Sequence, residues 1–423
     1  MYPGPPVLAC LAFVACDRSA PPPPPPATSE YVATARTAAI DPPVAHGAVS
    51  PNLVVTSSGA MLTWLEPVDS ARSAHRLRVA KLAGNTWSTP TTIAEGPTIL
   101  ASWADVPSLA RQGDGTLVAH WAETSPVPKP HGYHVVLARS TDDGATWRRL
   151  GFAHRDATDT EHGFVSLIPD GNATLAFWLD GRATANQGST ALRSARVADT
   201  IGDDQVIDDR VCDCCSTSAV ATSDGPLIAY RDRTADELRD PSVRKRVAGT
   251  WSEPRPVHVD GWQITGCPVN GPALAAAGRE VAVAWYTSAE HKPRVQIAFS
   301  SDGGITFEPP IEVDAPRATR SPIGRVDVVL ARPAEALVSW MASERDGVRL
   351  LVRRVARDRR RGPELQITSV TAAPNVGFPR MEKLDSDVLF AWTDTGSATV
   401  RMSRLAVVDV PEPAASGGQA PGR

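Results

Sequence analysis

Short apolar runs separated by polar turns recur along the whole chain. In each unit two such runs sit close together, and the second ends on an aromatic residue. Leu53, Val54 and Val55 precede a Ser-Ser-Gly turn, and Met61, Leu62 and Trp64 follow it. Leu109 and Ala110 lead to Leu117, Val118 and Trp121, and Ala273 to Ala277 lead to Val281, Val283 and Trp285. The closing aromatics are Trp64, Trp121, Trp178, Tyr230, Trp285, Trp340 and Trp392, at intervals of 52 to 57 residues. Runs of this length with turn residues between them read as strands. A fixed period built from paired strands predicts a radial array of small sheets, an all-β single propeller.

The inner strand pairs are predicted at about 48–64, 105–121, 162–178, 215–230, 269–285, 323–340 and 376–392. Two outer strands follow each pair; Arg76–Lys81 and Val135–Arg139 fit as third strands. This gives seven four-stranded blades, or six if one unit is an appendage. The seventh unit ends after a third strand, Thr399 to Val408, so an amino-terminal strand, Tyr31 to Arg36, is expected to close the ring. Closure removes the free sheet edges that invite aggregation.

The propeller takes residues 31–410, and the remainder are tails. Residues 1–16 carry a short apolar run, Val7 to Ala15, that ends at Cys16. A small residue before Cys at that place is the pattern of a lipoprotein leader, with Cys16 lipidated. Residues 17–30 include an unbroken run from Pro21 to Pro26, which extends as a stiff spacer. Residues 411–423 are Pro, Gly, Ala and Ser rich and are expected to be disordered. This organisation predicts an extracytoplasmic location, in a bacterial periplasm or on the cell surface. Membrane contact is then only through the lipid anchor.

Net charge is −4, which gives no electrostatic case for nucleic acid. The basic run from Arg353 to Arg361 reads as a solvated turn between outer strands.

Two turns carry a second signature. Ser140-Thr-Asp142-Asp-Gly144-Ala-Thr146-Trp147 fits S-x-D-x-G-x-T-W, and Ser300-Ser-Asp302-Gly-Gly304-Ile-Thr306-Phe307 fits with Phe for Trp. Asp bends the backbone through its side chain, and Gly takes a positive φ. On these turns the chain resembles the Asp-box, or BNR-repeat, propellers, the superfamily that contains the sialidases. The resemblance covers about residues 45 to 408. It implies that Asp-boxes lie on the face away from the active site. The opposite face then consists of loops leading into each blade's first strand and loops leaving its second.

Sorted by that rule, the leading loops contribute Asp105, Glu161 with His162, Cys212 to Cys215, Cys267 to Asn270, Arg325 with Asp327, and Asn375 to Arg380. The trailing loops contribute Glu123, Asp180 with Arg182, and Arg231-Asp232-Arg233. All of them share one funnel. Cys212, Cys214, Cys215 and Cys267 belong to adjacent blades and are expected to be neighbours. Three readings stay open for them: disulfides, a thiolate site for copper or zinc, or free redox thiols. His162 is a loop brace or a metal ligand.

The resemblance to sialidases implies arginines that grip a substrate carboxylate, a tyrosine nucleophile with a glutamate base, and an aspartic acid. Arg182, Arg231, Arg233, Arg325 and Arg380 are the candidate anion-binding residues. Tyr286 or Tyr230 is the candidate phenol, Asp105 or Asp180 the acid, and Glu161 the base. The chain departs from that family in lacking an early Arg-Ile-Pro motif; it reads Val49-Ser50-Pro51 instead. Its Cys-rich loop and its seven blades are further departures. Two functions are therefore expected: an exo-acting glycoside hydrolase on acidic glycans, or a non-catalytic propeller that binds a ligand, partner or metal. The hydrolase needs no cofactor.

Overall fold

The computed structural model describes residues 32–125, 132–371 and 376–413. Seven small antiparallel sheets form a ring, so the alternative of six blades is excluded. Blade one is Val49–Thr56, Gly59–Pro67 and His75–Ala83, with Thr86–Trp87 and Thr91–Gly96 on its outer edge. Blade two is Leu109–Arg111, Leu117–Thr124, Tyr133–Ser140 and Arg148–Phe152. Blade three is His162–Pro169, Thr174–Asp180, Ala191–Val197 and Gln205–Asp208. Blade four is Ser218–Thr222, Gly225–Arg231 and Pro241–Val247, edged by Thr250–Trp251 and Arg255–Pro256. Blade five is Ala273–Ala277, Glu280–Thr287, Arg294–Ser300 and Ile311–Asp314. Blade six is Arg320–Arg332, Glu335–Glu344, Gly347–Ala356 and Leu365–Val370. Blade seven is Arg380–Leu384, Asp387–Asp394 and Thr399–Ala406.

An amino-terminal strand completes blade seven, but it is not the expected segment. Ala38–Ala39 pairs antiparallel with Thr399–Ala406. Within the predicted stretch, Ala33–Thr34 instead joins the outer edge of blade six, parallel to Leu365–Val370. The chain thus covers two neighbouring edges before it enters blade one. The leader, Cys16, the proline run, Tyr31, Asn375 and the tail from residue 414 lie outside the described residues.

The apolar core is divided into seven wedges, one at each junction between blades. Trp64 packs with Leu389, Ala391 and Met402 of blade seven, and Trp340 packs with Val295 and Ile297 of blade five. The periodic aromatics are almost fully buried, and a buried indole N–H needs an acceptor. A carboxylate supplies it in five blades. Trp64 Nε1 donates to Glu66 at 2.9 Å, Trp121 to Glu123 at 2.7 Å and Trp178 to Asp180 at 2.8 Å. Trp285 donates to Asp260 and Trp340 to Asp314, each at 2.7 Å, and in a sixth blade the Tyr230 hydroxyl donates to Asp208 at 2.6 Å. Each aromatic is latched as well as packed.

The two signature turns are chemically equivalent. Gly144 N and Gly304 N each donate to the serine of their motif at 2.9 Å. Thr146 and Thr306 hydroxyls each donate to the motif aspartate at 2.6 Å. Gly144 and Gly304 take φ of 86° and 88°. Bonds from Thr146 and Ser140 hold Asp142 down to about 2, and against burial those from Thr306 and Ser300 hold Asp302 at about the same value.

The basic run is not a solvated turn. Arg353 and Arg354 belong to the third strand of blade six, and Arg354 is buried. Arg354 pairs with Glu335, and Arg353 with Glu364, both at 2.6 Å. Only the segment beyond Ala356 turns.

Candidate functional site

The loops opposite the Asp-box turns carry the candidate residues, and the structure sorts them into committed and uncommitted groups. Arg182 is committed. It meets Asp180 at 2.7 Å, Asp204 at 2.7 Å and Asp156 at 3.3 Å. Asp180 is fully buried and also accepts the Trp178 indole. Burial would raise Asp180, but Arg182 and the Trp178 indole pull it below the usual carboxylate range.

Arg231 is also committed. It is 1% exposed and donates to backbone oxygens of Asn270 at 2.9 and 3.0 Å, Tyr286 at 2.7 Å, and Arg239. These bonds tie blade four to blade five beneath the Trp262 ring, 4.8 Å away. Arg233 is held by Glu237 at 2.8 Å, with Asp213 at 3.6 Å. Tyr230 is sunk in the core against Asp208. Tyr286 rests edge-on against Trp262, with centroids 5.6 Å apart.

Arg325 is different. Its guanidinium sits against two near-parallel rings, 4.5 Å from Trp103 and 4.9 Å from Phe378, whose own centroids are 6.4 Å apart. The rings come from loops of blades two and seven, so the stack lies across the mouth of the ring. Gly324, with φ of 88°, turns the chain here, and Arg325 N donates to Asn270 Oδ1 at 2.8 Å. Arg325 Nη1 donates to Gly377 O at 2.7 Å. Among the described residues it has no carboxylate partner. Burial alone pulls it down to about 10, so it remains a cation at neutral pH.

Asp105, two residues after Trp103, leads to a tyrosine that sequence reading missed. Tyr133 begins the third strand of blade two, and its hydroxyl donates to Glu161 Oε1 at 2.7 Å. Asp105 flanks the same pair. A Cβ placed on Gly163 would lie 2.1 Å from Asp105 Oδ2 and 3.1 Å from Tyr133 Oη, so only glycine lets the two approach. Asp105 is 5% exposed, and its Oδ2 has no hydrogen-bond partner. Burial, with the negative Glu161 nearby, raises Asp105 to about 7. Burial, Asp105 and Glu161 push the Tyr133 phenol well above its ordinary value. Of the expected catalytic residues, Asp105 and Glu161 are brought together, whereas the Asp180 carboxylate is taken up by Arg182 and Trp178, and Tyr286 rests on Trp262.

Below the mouth, the first strands line an axial channel of about 440 Å³. Asp327, Arg380 and Glu382 face it. Burial raises Glu382 to about 8, and Asp327 in the same direction. Arg380 therefore sits among these acids, inside the channel and below the Arg325 stack.

The cysteines divide as neighbours on adjacent blades. Cys214 and Cys267 form a disulfide with Cα atoms 6.0 Å apart. Cys212 and Cys215 are buried thiols with sulfurs 2.9 Å apart. Arg239 Nη1 lies 3.4 Å from Cys212 Sγ. The Cys215 thiol hydrogen bond, helped by Arg231 and Arg239, lowers Cys212 to about 6, while burial pushes Cys215 up.

Ring, latches and turns define a seven-bladed β-propeller with two Asp-box turns. No family model matches the chain, and no curated protein matches it by sequence. A polysaccharide lyase of family PL25, an ulvan lyase, shares its fold with a TM-score of 0.53 and 10% identity, over 88% of this chain and 99% of its own. The GH93 α-L-arabinofuranosidase of Fusarium graminearum gives 0.47 at 13% identity, over 88% and 99%. The NanB sialidase of Streptococcus pneumoniae gives 0.43 at 9%, over 88% and 70%. At such identities a likeness speaks for architecture alone.

Proposed function

We propose that the protein is a glycoside-cleaving propeller acting on an acidic glycan. The observation that carries this is the Tyr133–Glu161 hydrogen bond with the buried Asp105 carboxyl beside it. A phenol bonded to a carboxylate can lose its proton as it attacks an anomeric carbon. Glu161 takes that proton. Asp105, protonated up to about pH 7, donates to the leaving oxygen. Arg325 receives the acid group of the sugar, because it is a desolvated cation with no counter-ion among the described residues. Its two rings offer faces for the sugar's apolar side. A fluorogenic panel of acidic and neutral glycosides tests the reading. Turnover is expected on an acidic member, with a loss of at least about 1000-fold in Tyr133→Phe and an unchanged fold. Full activity in Tyr133→Phe would refute it.

The engagement of Arg182, Arg231 and Arg233 by internal partners favours a second reading. In that reading Arg325 and its rings bind an anionic ligand without cleaving it. Binding without turnover across the panel distinguishes the two. For location we propose an extracytoplasmic compartment, which the Cys214–Cys267 bond supports. With Cys214 and Cys267 joined, we propose the remaining Cys212 and Cys215 thiols as candidates for copper or zinc.

A further inference from the structure

We propose that His134, His154 and His162 hold a divalent transition-metal ion behind the Tyr133–Glu161 pair. One ring nitrogen from each lies within 4.8 Å of the other two. The hydrogen bonds around the cluster assign the three tautomers. His154 Nδ1 is 2.9 Å from Asp156 Oδ1, a carboxylate oxygen that only accepts, so Nδ1 carries the proton. His162 Nδ1 is 3.0 Å from the Thr160 carbonyl and carries its proton for the same reason. Ser125 gives its hydroxyl proton to Asp159, which leaves a lone pair for His134 Nε2–H at 3.0 Å.

Three lone pairs remain, on His134 Nδ1, His154 Nε2 and His162 Nε2. None is satisfied by a donor. His134 Nδ1 and His154 Nε2 face each other at 3.3 Å. His162 is 0% exposed and its Nε2 has no hydrogen-bond partner. Two carboxylate oxygens lie near that nitrogen, Asp156 Oδ1 at 3.3 Å and Asp180 Oδ1 at 3.8 Å. Lone pairs turned toward one another and toward acids call for a cation. Arg182 already occupies the space between Asp156 and Asp180, so the carboxylates alone are not the site.

Neutral imidazoles whose other nitrogen is anchored to a carbonyl or carboxylate are the arrangement metal-binding histidines use. An imidazole-rich donor set selects Zn(II), Cu(II) or Ni(II) over Mg(II) or Ca(II). His154 and His162 are stacked with centroids 3.7 Å apart, so coordination in the ring planes tilts one ring out of the stack. Phe152 covers His134 and His154 from outside. The consequence is positional. His134 follows Tyr133 and His162 follows Glu161, so one ion ties together the two segments that carry the candidate phenol and its base.

The test is metal content, which is read independently of any turnover. Full-length protein is loaded with Zn(II), dialysed into metal-free buffer and measured by atomic emission. About one ion per chain is expected in Cys212→Ser/Cys215→Ser, and at least one in the wild type. His134→Ala, at the solvent edge of the cluster, and His154→Ala should each lose at least about ten-fold in affinity. Cobalt substitution of the wild type, which needs no variant, should give a visible spectrum of nitrogen-ligated Co(II). No retained ion, equal retention in the histidine variants, or loss confined to the cysteine variant overturns the proposal.

Discussion

Arg182 and Arg325 lie on the same face of the disc, one in the short helical turn after blade three's second strand and the other within blade six's first strand, yet their surroundings are opposite. Arg182 is gripped by three carboxylates, one of them fully buried. Arg325 has two aromatic rings and backbone groups around it and, among the described residues, no acid partner. A guanidinium whose charge is already compensated braces the fold. One that is desolvated and uncompensated is stabilised by an incoming anion. The comparison teaches that arginines in a funnel are told apart by what already holds them.

Three outcomes follow from this contrast. The largest is for Arg182→Ala, which leaves Asp180 buried beside Asp156 with their shared cation removed. Unfolding free energy should fall by about 3–5 kcal/mol in denaturant titration. A loss below about 1 kcal/mol would show that the network is not structural.

The next concerns Asp105, whose folded value is raised from 3.8 to about 7. The folded state therefore binds a proton that the unfolded chain has released between those values. The stability this group contributes is complete below about pH 4, declines up to pH 7 and is flat above. Asp105→Asn does not titrate, so its stability relative to wild type should rise across that window by about 3 kcal/mol. Chemical unfolding at several pH values checks this, and parallel curves for the two proteins would contradict it. The same titration predicts that turnover declines as pH passes about 7.

The smallest stability effect is expected for Arg325→Ala, within about 1 kcal/mol, because no buried charge loses its partner. Its effect should fall on ligand binding instead.

The architecture was legible because the closing aromatics repeat at a period that only paired strands in a ring explain. Their latches were half legible. In blades one to three the acceptor follows two residues after the tryptophan, as in Trp64-Leu-Glu66 and Trp178-Leu-Asp180. In blades four to six it comes from elsewhere, with Asp208, Asp260 and Asp314 lying 22, 25 and 26 residues away. Glu123 and Asp180 therefore read as funnel acids, although both accept an indole proton. Tyr133 was missed because it opens a third strand, outside the loops that were sorted. Its pairing with Glu161 depends on blade two meeting blade three. Likewise Ala33–Thr34 and Ala38–Ala39 are too short to announce which edge each will cover.

The central claim is that the mouth between Arg325, Tyr133 and Asp105 receives an acidic sugar. An experimental structure with a bound acidic monosaccharide tests it most directly. The account predicts the acid group on the Arg325 guanidinium, at about 2.7–3.2 Å, with the ring over the Tyr133 and Asp105 side chains. A sugar held on the Asp-box face, or at the Arg182 network with Arg325 untouched, would contradict it.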